Sequence, residues 1–149
     1  MTTSGTSAVS VPVVRAVTVR RTPEDTFRLF TADIGAWWPM GTHSVFGATA
    51  RVAVEGSEIV ETSAEGERTV WAEIVESSPP RRLVLSWHPG TDPAKPTRVE
   101  VSFAPDGENA TRVELTHTGW ETLGERAEAA RQSYDTGWQS VLEGFAKAG

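Results

Sequence analysis

The feature that most constrains the fold is a change of hydrophobic period late in the chain. Six segments with alternating or β-branched residues come first, and each is typical of a strand. From Glu125 to Lys147 the apolar residues instead recur three and four positions apart, as on one face of a helix. An antiparallel sheet with one apolar face needs a cover, and only this late helix is long enough to provide it.

The remaining elements are predicted from local signals. A strand at 13–20 precedes a helix with Thr22 as N-cap and Pro23 at its first position. A short helical turn then reaches Trp37 and Trp38 and ends at Pro39. The six strands are predicted at 51–54, 58–63, 69–77, 82–88, 98–103 and 111–118. Because the connections are short, we expect an α+β fold in which a curved antiparallel sheet wraps around the long C-terminal helix.

Composition narrows the functional classes. The 149 residues carry a formal net charge of -6, and no basic cluster is present, which argues against nucleic-acid binding. The chain has no cysteine, so disulfides and thiolate chemistry are excluded. No segment has the length and apolarity of a membrane span or a signal peptide. We therefore expect a cytoplasmic protein with a disordered leader at 1–12 and a single domain at 13–149.

The candidate binding residues are aromatic and aliphatic side chains on the predicted inner faces of the strands and the long helix. The chain has six tryptophans, and five of them belong to this set. A tryptophan pair before the first of the six strands adds a candidate lid. The complete candidate set is Trp37, Trp38, Trp87, Val101, Phe103, Leu115, His117, Trp120, Tyr134, Trp138 and Leu142.

His117 is the polar member of this set, and three roles remain open for it. Alternation in VELTHTGW puts it on the apolar face of the last strand. There it either donates a ring N–H to a nearby carbonyl as a structural residue, orients a ligand in an apolar pocket, or moves a proton in catalysis. The structural role is the one we expect first.

Other polar residues carry weaker expectations. Glu61, Glu73 and Glu100 fall within strands and are predicted on the solvated face. His43 lies in the Gly-bracketed loop MGTHSVFGA and is predicted to be a solvated loop residue. The three histidines show no metal-ligand spacing, and nucleophile-elbow and phosphate-binding motifs are missing. We therefore predict no catalytic residue, no metal and no cofactor.

Several segments together resemble a known family. They are VRAVTVRRTPEDTFRLFT, DIGAWWP, AEIVESSPPRRLVLSWHPG, RVEVSFAP, TRVELTHTGW and YDTGWQSVLEGF. In order and spacing they are similar to the START-like or SRPBCC superfamily, and within it to proteins of the activator of heat-shock protein 90 ATPase homologue type. The resemblance implies the helix-grip, Bet v-like fold with a hydrophobic cavity between the sheet and the C-terminal helix.

The same resemblance implies three alternative functions. The first is a non-enzymatic protein that binds a small apolar ligand such as a lipid, a sterol or a polyketide-like molecule. The second is an interaction module whose partner is a chaperone or another protein. The third is an enzyme similar to polyketide cyclases and dehydratases, with His117 as the group that moves a proton. We expect the first function, and we rank enzymatic activity below the other two.

Overall fold

One antiparallel sheet of seven strands dominates the computed structural model, which describes residues 11–148. The strands are β1 (Val13–Val19), β2 (Arg51–Glu55), β3 (Glu58–Thr62), β4 (Arg68–Ser78), β5 (Arg82–Trp87), β6 (Thr97–Pro105) and β7 (Thr111–Thr118). Their order across the sheet is β1-β7-β6-β5-β4-β3-β2, so β2 to β7 form a meander and β1 closes the far edge against β7. The predicted antiparallel sheet is confirmed.

The first helix, α1 (Pro23–Phe30), begins where the sequence predicts it. The Thr22 side chain accepts a hydrogen bond from the backbone N–H of Asp25 at 3.3 Å, and proline occupies the first turn. Leu29 and Phe30 are among its buried residues. A 3-10 turn, Ile34–Ala36, then delivers the tryptophan pair to the edge of the core.

The long helix, α2 (Ala127–Ala148), lies on the inner face of the sheet and buries Trp138, Val141 and Phe145 among others. It begins two residues later than predicted, because Glu125 and Arg126 belong to a 3-10 segment that precedes it. This 3-10 segment is Trp120–Arg126. At the edge of the sheet, Arg15 of β1 forms an ion pair of 2.7 Å with the Asp135 carboxylate of α2.

The inner face of the sheet and the buried face of α2 share one hydrophobic core. Val99, Val101, Phe103, Val113 and Leu115 alternate inward on β6 and β7, as their strand pattern predicts. This is the helix-grip arrangement expected from the sequence.

Of the predicted leader, residues 1–10 lie outside the described residues. Within the described part of the chain, no helix is long and apolar enough to cross a membrane.

Candidate functional site

A cavity of about 250 Å³ lies between α2, the ends of β4 and β5, and the loop at residues 39–47. Five aromatic side chains form most of its wall: Trp38, Trp71, Trp87, Tyr134 and Trp138. Polar groups of Thr42, His43, Ser44 and Ser133 lie on the side where the loop faces the helix. The site therefore combines an aromatic interior with a polar rim.

The tryptophan rings brace one another at angles, without face-to-face stacking. The Trp38 ring centroid lies 5.0 Å from that of Trp71, 6.3 Å from that of Trp87 and 6.0 Å from that of Trp138. Trp87 and Trp138 are 5.2 Å apart. Tilted and edge-on contacts of this kind contribute roughly 0.5–1.5 kcal/mol per pair beyond the area that they bury. The wall is thus a mutually supported aromatic cage.

Each indole N–H of this cage already donates to a protein acceptor. Trp38 donates to the His43 carbonyl at 2.6 Å, and Trp138 donates to Nδ1 of His117 at 2.9 Å. Trp71 donates to the carboxylate of Glu61 at 2.8 Å, and Trp87 donates to the hydroxyl of Tyr134 at 3.2 Å. Because the polar edges are used internally, the indoles offer the cavity their apolar surfaces.

Tyr134 supplies a hydroxyl at this aromatic wall. Its oxygen accepts from Trp87, while no acceptor among the described residues takes its hydrogen. Burial raises the pKa of Tyr134 above the ordinary value, so the hydroxyl keeps its proton at neutral pH. Tyr134 can therefore donate a hydrogen bond to a molecule in the cavity.

His117 lies behind the cage and is fully buried. Its Nδ1 accepts from Trp138, so Nε2 carries the proton and donates to Oγ1 of Thr97 at 2.6 Å. Thr97 in turn donates to the Trp87 carbonyl at 3.3 Å. Burial lowers the pKa of His117 to about 3, and the ring is neutral at physiological pH. Both ring nitrogens are engaged inside the protein, which is the geometry of a structural residue.

His43 occupies the opposite side, in the loop. It is partly buried, and its Nδ1 lies 2.8 Å from the Thr42 hydroxyl. Its Nε2 would lie 3.7 Å from a Cβ placed on Gly137 of α2. The missing side chain at Gly137 lets the ring rest on the helix, and the loop thereby closes one side of the cavity. The sequence alone favoured a solvated role for His43, and the structure places it in the wall instead.

Glu61 corrects a prediction, because its carboxylate is fully buried and not on the solvated face. It shares the inner face of β3 with Ile59, two positions earlier. The prediction that it lies on the solvated face of its strand was wrong, since three N–H groups donate to the buried carboxylate. Glu73 and Glu100 are half-buried, with Glu73 beside His88 and Glu100 paired with Arg82.

Of the eleven predicted binding residues, Trp38, Trp87, Tyr134 and Trp138 line the cavity. Trp37 donates to the Leu29 carbonyl at 2.7 Å and packs on Phe30 and Phe145 beside it. The others fill the core away from the cavity: Val101, Phe103, Leu115, His117, Trp120 and Leu142. Strand alternation identifies their inward direction but not which part of the inner face the helix covers tightly.

Trp71 is the main wall residue that the sequence analysis missed. The pairing of β3 and β4 passes from Ile59 with Ala72 to Val60 with Val70, so Trp71 is the extra residue of a bulge. The bulge interrupts the alternation that would otherwise assign its direction. Its large apolar surface within a strand was the available signal.

Among the described residues, no group of three His, Asp or Glu side chains is placed to hold a metal ion.

The curved sheet around one long helix defines a protein of the helix-grip class. The chain belongs to the family described as Activator of Hsp90 ATPase homolog 1-like protein, which it matches over residues 20–148. No curated protein matches the chain.

Several solved structures are similar to this chain. The chain is 29% identical to an anthrahydroquino-gamma-pyrone synthase, Txn09, complexed with SUM, over 85% of this chain and 89% of that one, with a TM-score of 0.58. It is 24% identical to CalC, a self-sacrificing resistance protein from Micromonospora echinospora, over 94% of both chains, with a TM-score of 0.66. An HSP90 activator from Plasmodium falciparum is 20% identical over 72% of both chains, with a TM-score of 0.52. The last two similarities show the fold alone.

Proposed function

We propose that this protein binds a small planar aromatic molecule in the cavity between α2 and the sheet. The observation that carries the proposal is the cage of five aromatic side chains around about 250 Å³, with its indole N–H groups turned into the protein. A cavity of roughly 150 Å³ already accepts benzene. A fused two- or three-ring system uses this larger space and the flat walls better than a flexible acyl chain does.

The Tyr134 hydroxyl narrows the ligand further. Because its hydrogen is available, it favours a ring system that carries an oxygen acceptor, such as a quinone or aryl ketone. This is the polyketide-like class among the ligands expected from the sequence. The 29% identity to a synthase of an anthrahydroquino-gamma-pyrone supports the same class.

Binding is tested with 1,4-naphthoquinone, measured by tryptophan fluorescence and by thermal unfolding. The chain has no cysteine, so the quinone meets no thiol to alkylate. At a hundred times its dissociation constant the probe adds about 2.7 kcal/mol and raises the unfolding midpoint by roughly 5–10 °C. Ser133→Phe, which fills the rim, should abolish this shift. Ser140→Phe, on an exposed site of the same helix outside the cavity, should preserve it.

Tyr134→Phe tests the polar contact. Loss of one hydrogen bond, worth about 1 kcal/mol, should weaken naphthoquinone binding about fivefold. Naphthalene has no oxygen acceptor, so its affinity should not change. Equal losses for both probes would contradict the role of the hydroxyl. The absence of saturable binding to the wild-type protein would contradict the proposed function itself.

An enzyme acting on the same aromatic class is the second candidate. His117 has both nitrogens engaged, so a proton-transfer role would pass to His43, whose ring lies at the cavity wall. The named synthase at 29% identity favours this candidate. Conversion of a bound aromatic ketone by the wild-type protein but not by His43→Gln would support it.

A protein-interaction role rests on the family description and has less support from the surface. The exposed large apolar side chains among the described residues are Val11, Val14, Val45 and Val75. Recovery of a chaperone by pull-down from the native host would favour this alternative. For either role we propose the cytoplasm as the location, because a chain without cysteine suits a reducing compartment.

A further inference from the structure

Glu61 is a fully buried carboxylate without an ion-pair partner among the described residues. Its Oε1 accepts from the backbone N–H of Val45 and from the indole N–H of Trp71, both at 2.8 Å. Its Oε2 accepts from the backbone N–H of Phe46 at 2.8 Å. A buried carboxylate is costly unless it is well hydrogen-bonded, and here three neutral donors meet that requirement.

The three donors belong to two different walls of the cavity. Val45 lies in the loop at residues 39–47, whereas Trp71 lies in β4, and both line the cavity. Glu61 itself does not line it. The Glu61 side chain, which lies behind the cavity, therefore connects the loop to strand β4.

The other attachments of the loop are weaker or more local. Trp38 donates to the His43 carbonyl only five residues away, and Ser44 bonds to the backbone within the loop. Toward α2, the His43 ring meets Gly137 without a hydrogen bond to it. Among the described residues, the Glu61 carboxylate is thus the polar connection that joins this part of the loop to the sheet.

We propose that Glu61 is a positioning residue, which holds the loop wall and Trp71 in register so that the cavity keeps its shape. Its consequence for ligand affinity rests on the proposed function, whereas the anchoring of the loop does not. The two parts can therefore fail separately.

Anchoring is tested on the wild-type protein by amide hydrogen exchange. Val45 is an exposed residue whose amide donates to Glu61, so we attribute protection of that amide mainly to this hydrogen bond. We expect the amides of Val45 and Phe46 to exchange at least about tenfold more slowly than those of Gly41 and Ala48, a ratio equivalent to the loss of one such hydrogen bond. Equal exchange at these four sites would overturn the proposal without any variant.

Glu61→Gln supplies the second measurement, because its amide NH₂ replaces one acceptor oxygen with a donor. Exchange at the two loop amides should rise at least about tenfold, and among the tryptophan indole signals that of Trp71 should shift most. Amides of Val101 and Leu115 should keep their wild-type protection, which separates local release from global destabilisation. Glu58→Gln is the matched control, since it removes the same charge from the same strand at a site without a side-chain hydrogen bond in the described structure.

The binding arm uses 1,4-naphthoquinone with the same variants. We expect at least about fivefold weaker affinity for Glu61→Gln and wild-type affinity for Glu58→Gln. Unchanged affinity in Glu61→Gln would overturn the positioning role. If the wild-type protein binds no probe while the exchange results hold, the proposed function fails and the anchoring of the loop stands.

Discussion

The two histidines at opposite sides of the aromatic cage differ in how many ring nitrogens the protein already uses. His117 donates through Nε2 to Thr97 and accepts at Nδ1 from Trp138. His43 has one polar neighbour, the Thr42 hydroxyl at Nδ1, and its Nε2 has no hydrogen-bond partner among the described residues. A histidine with both nitrogens engaged supports the core, whereas one with a free nitrogen at a cavity wall is available to a ligand.

The surroundings of the two rings reinforce this difference. Trp120 lies against His117 with ring centroids 4.1 Å apart, and Tyr134 approaches it to 4.7 Å. His43 instead rests on a helix position that has no side chain. Apolar surroundings in the sequence therefore point to the structural histidine, and a loop bracketed by glycines contains the accessible one.

The largest expected effect that sharpens this comparison is on stability. His117→Ala leaves a void and removes the partners of Trp138 and Thr97, so we expect a loss of about 4 kcal/mol in the free energy of unfolding. His43→Ala should cost less than about 1 kcal/mol because its ring is partly exposed and makes few contacts. Urea unfolding of both variants measures the difference, and similar losses would erase the distinction between the two residues.

The pH dependence of the free energy of unfolding tests the burial of His117 alone, because His43 is not buried in this way. Burial lowers its pKa to about 3 from an ordinary value of 6.5. Between these values the unfolded chain binds the extra proton, so the free energy of unfolding rises with pH and falls as the pH decreases. From pH 8 to pH 5 the contribution of His117 should fall by about 2 kcal/mol.

His117→Gln provides the reference for that measurement, because it does not titrate. The wild-type protein should lose about 2 kcal/mol more than this variant between pH 8 and pH 5. Parallel stability curves for the two proteins would mean that the ring binds a proton as readily in the folded protein as in the unfolded chain, contrary to its hydrogen-bond geometry.

The fold was largely predictable because it depends on hydrophobic period, which local sequence contains. The strands of the sheet and the long helix follow directly from alternation and from three-and-four spacing. The start of α2 was misplaced by two residues, since Glu125 and Arg126 lie in the preceding 3-10 segment, which the sequence pattern does not distinguish from an α-helix. The hydrophobic period identifies which face of a helix is buried, but it does not fix the residue at which the helix begins.

The site was predictable only in part because it depends on contacts between distant segments. Trp138 and Tyr134 were identified from the face of the helix, and Trp87 from its strand. Trp71 and Glu61 were missed because a bulge and a set of internal N–H donors determine their surroundings. Strand alternation cannot indicate that loop residues 15 and 16 positions away will supply hydrogen-bond donors for a buried carboxylate.

The smallest expected effect concerns the contact between His43 and α2. Gly137→Ala should raise the free energy of unfolding by about 0.5–1 kcal/mol, because alanine is the better helix former. The added Cβ would meet Nε2 of His43 at 3.7 Å, an ordinary contact distance. Thermal and urea unfolding both measure this gain.

Gly144→Ala, in the same helix, is the matched control because its added Cβ would meet nothing within 4 Å. It should show the gain from helix propensity alone, so the difference between the two variants reports the contact with the His43 ring. A stabilised Gly144→Ala beside a destabilised Gly137→Ala would mean that the ring presses on the helix more closely than 3.7 Å. The loop would then be held by tight packing against α2 as well as by Glu61. The His43 ring would be less accessible to a ligand, and the contrast with the buried His117 would be weaker.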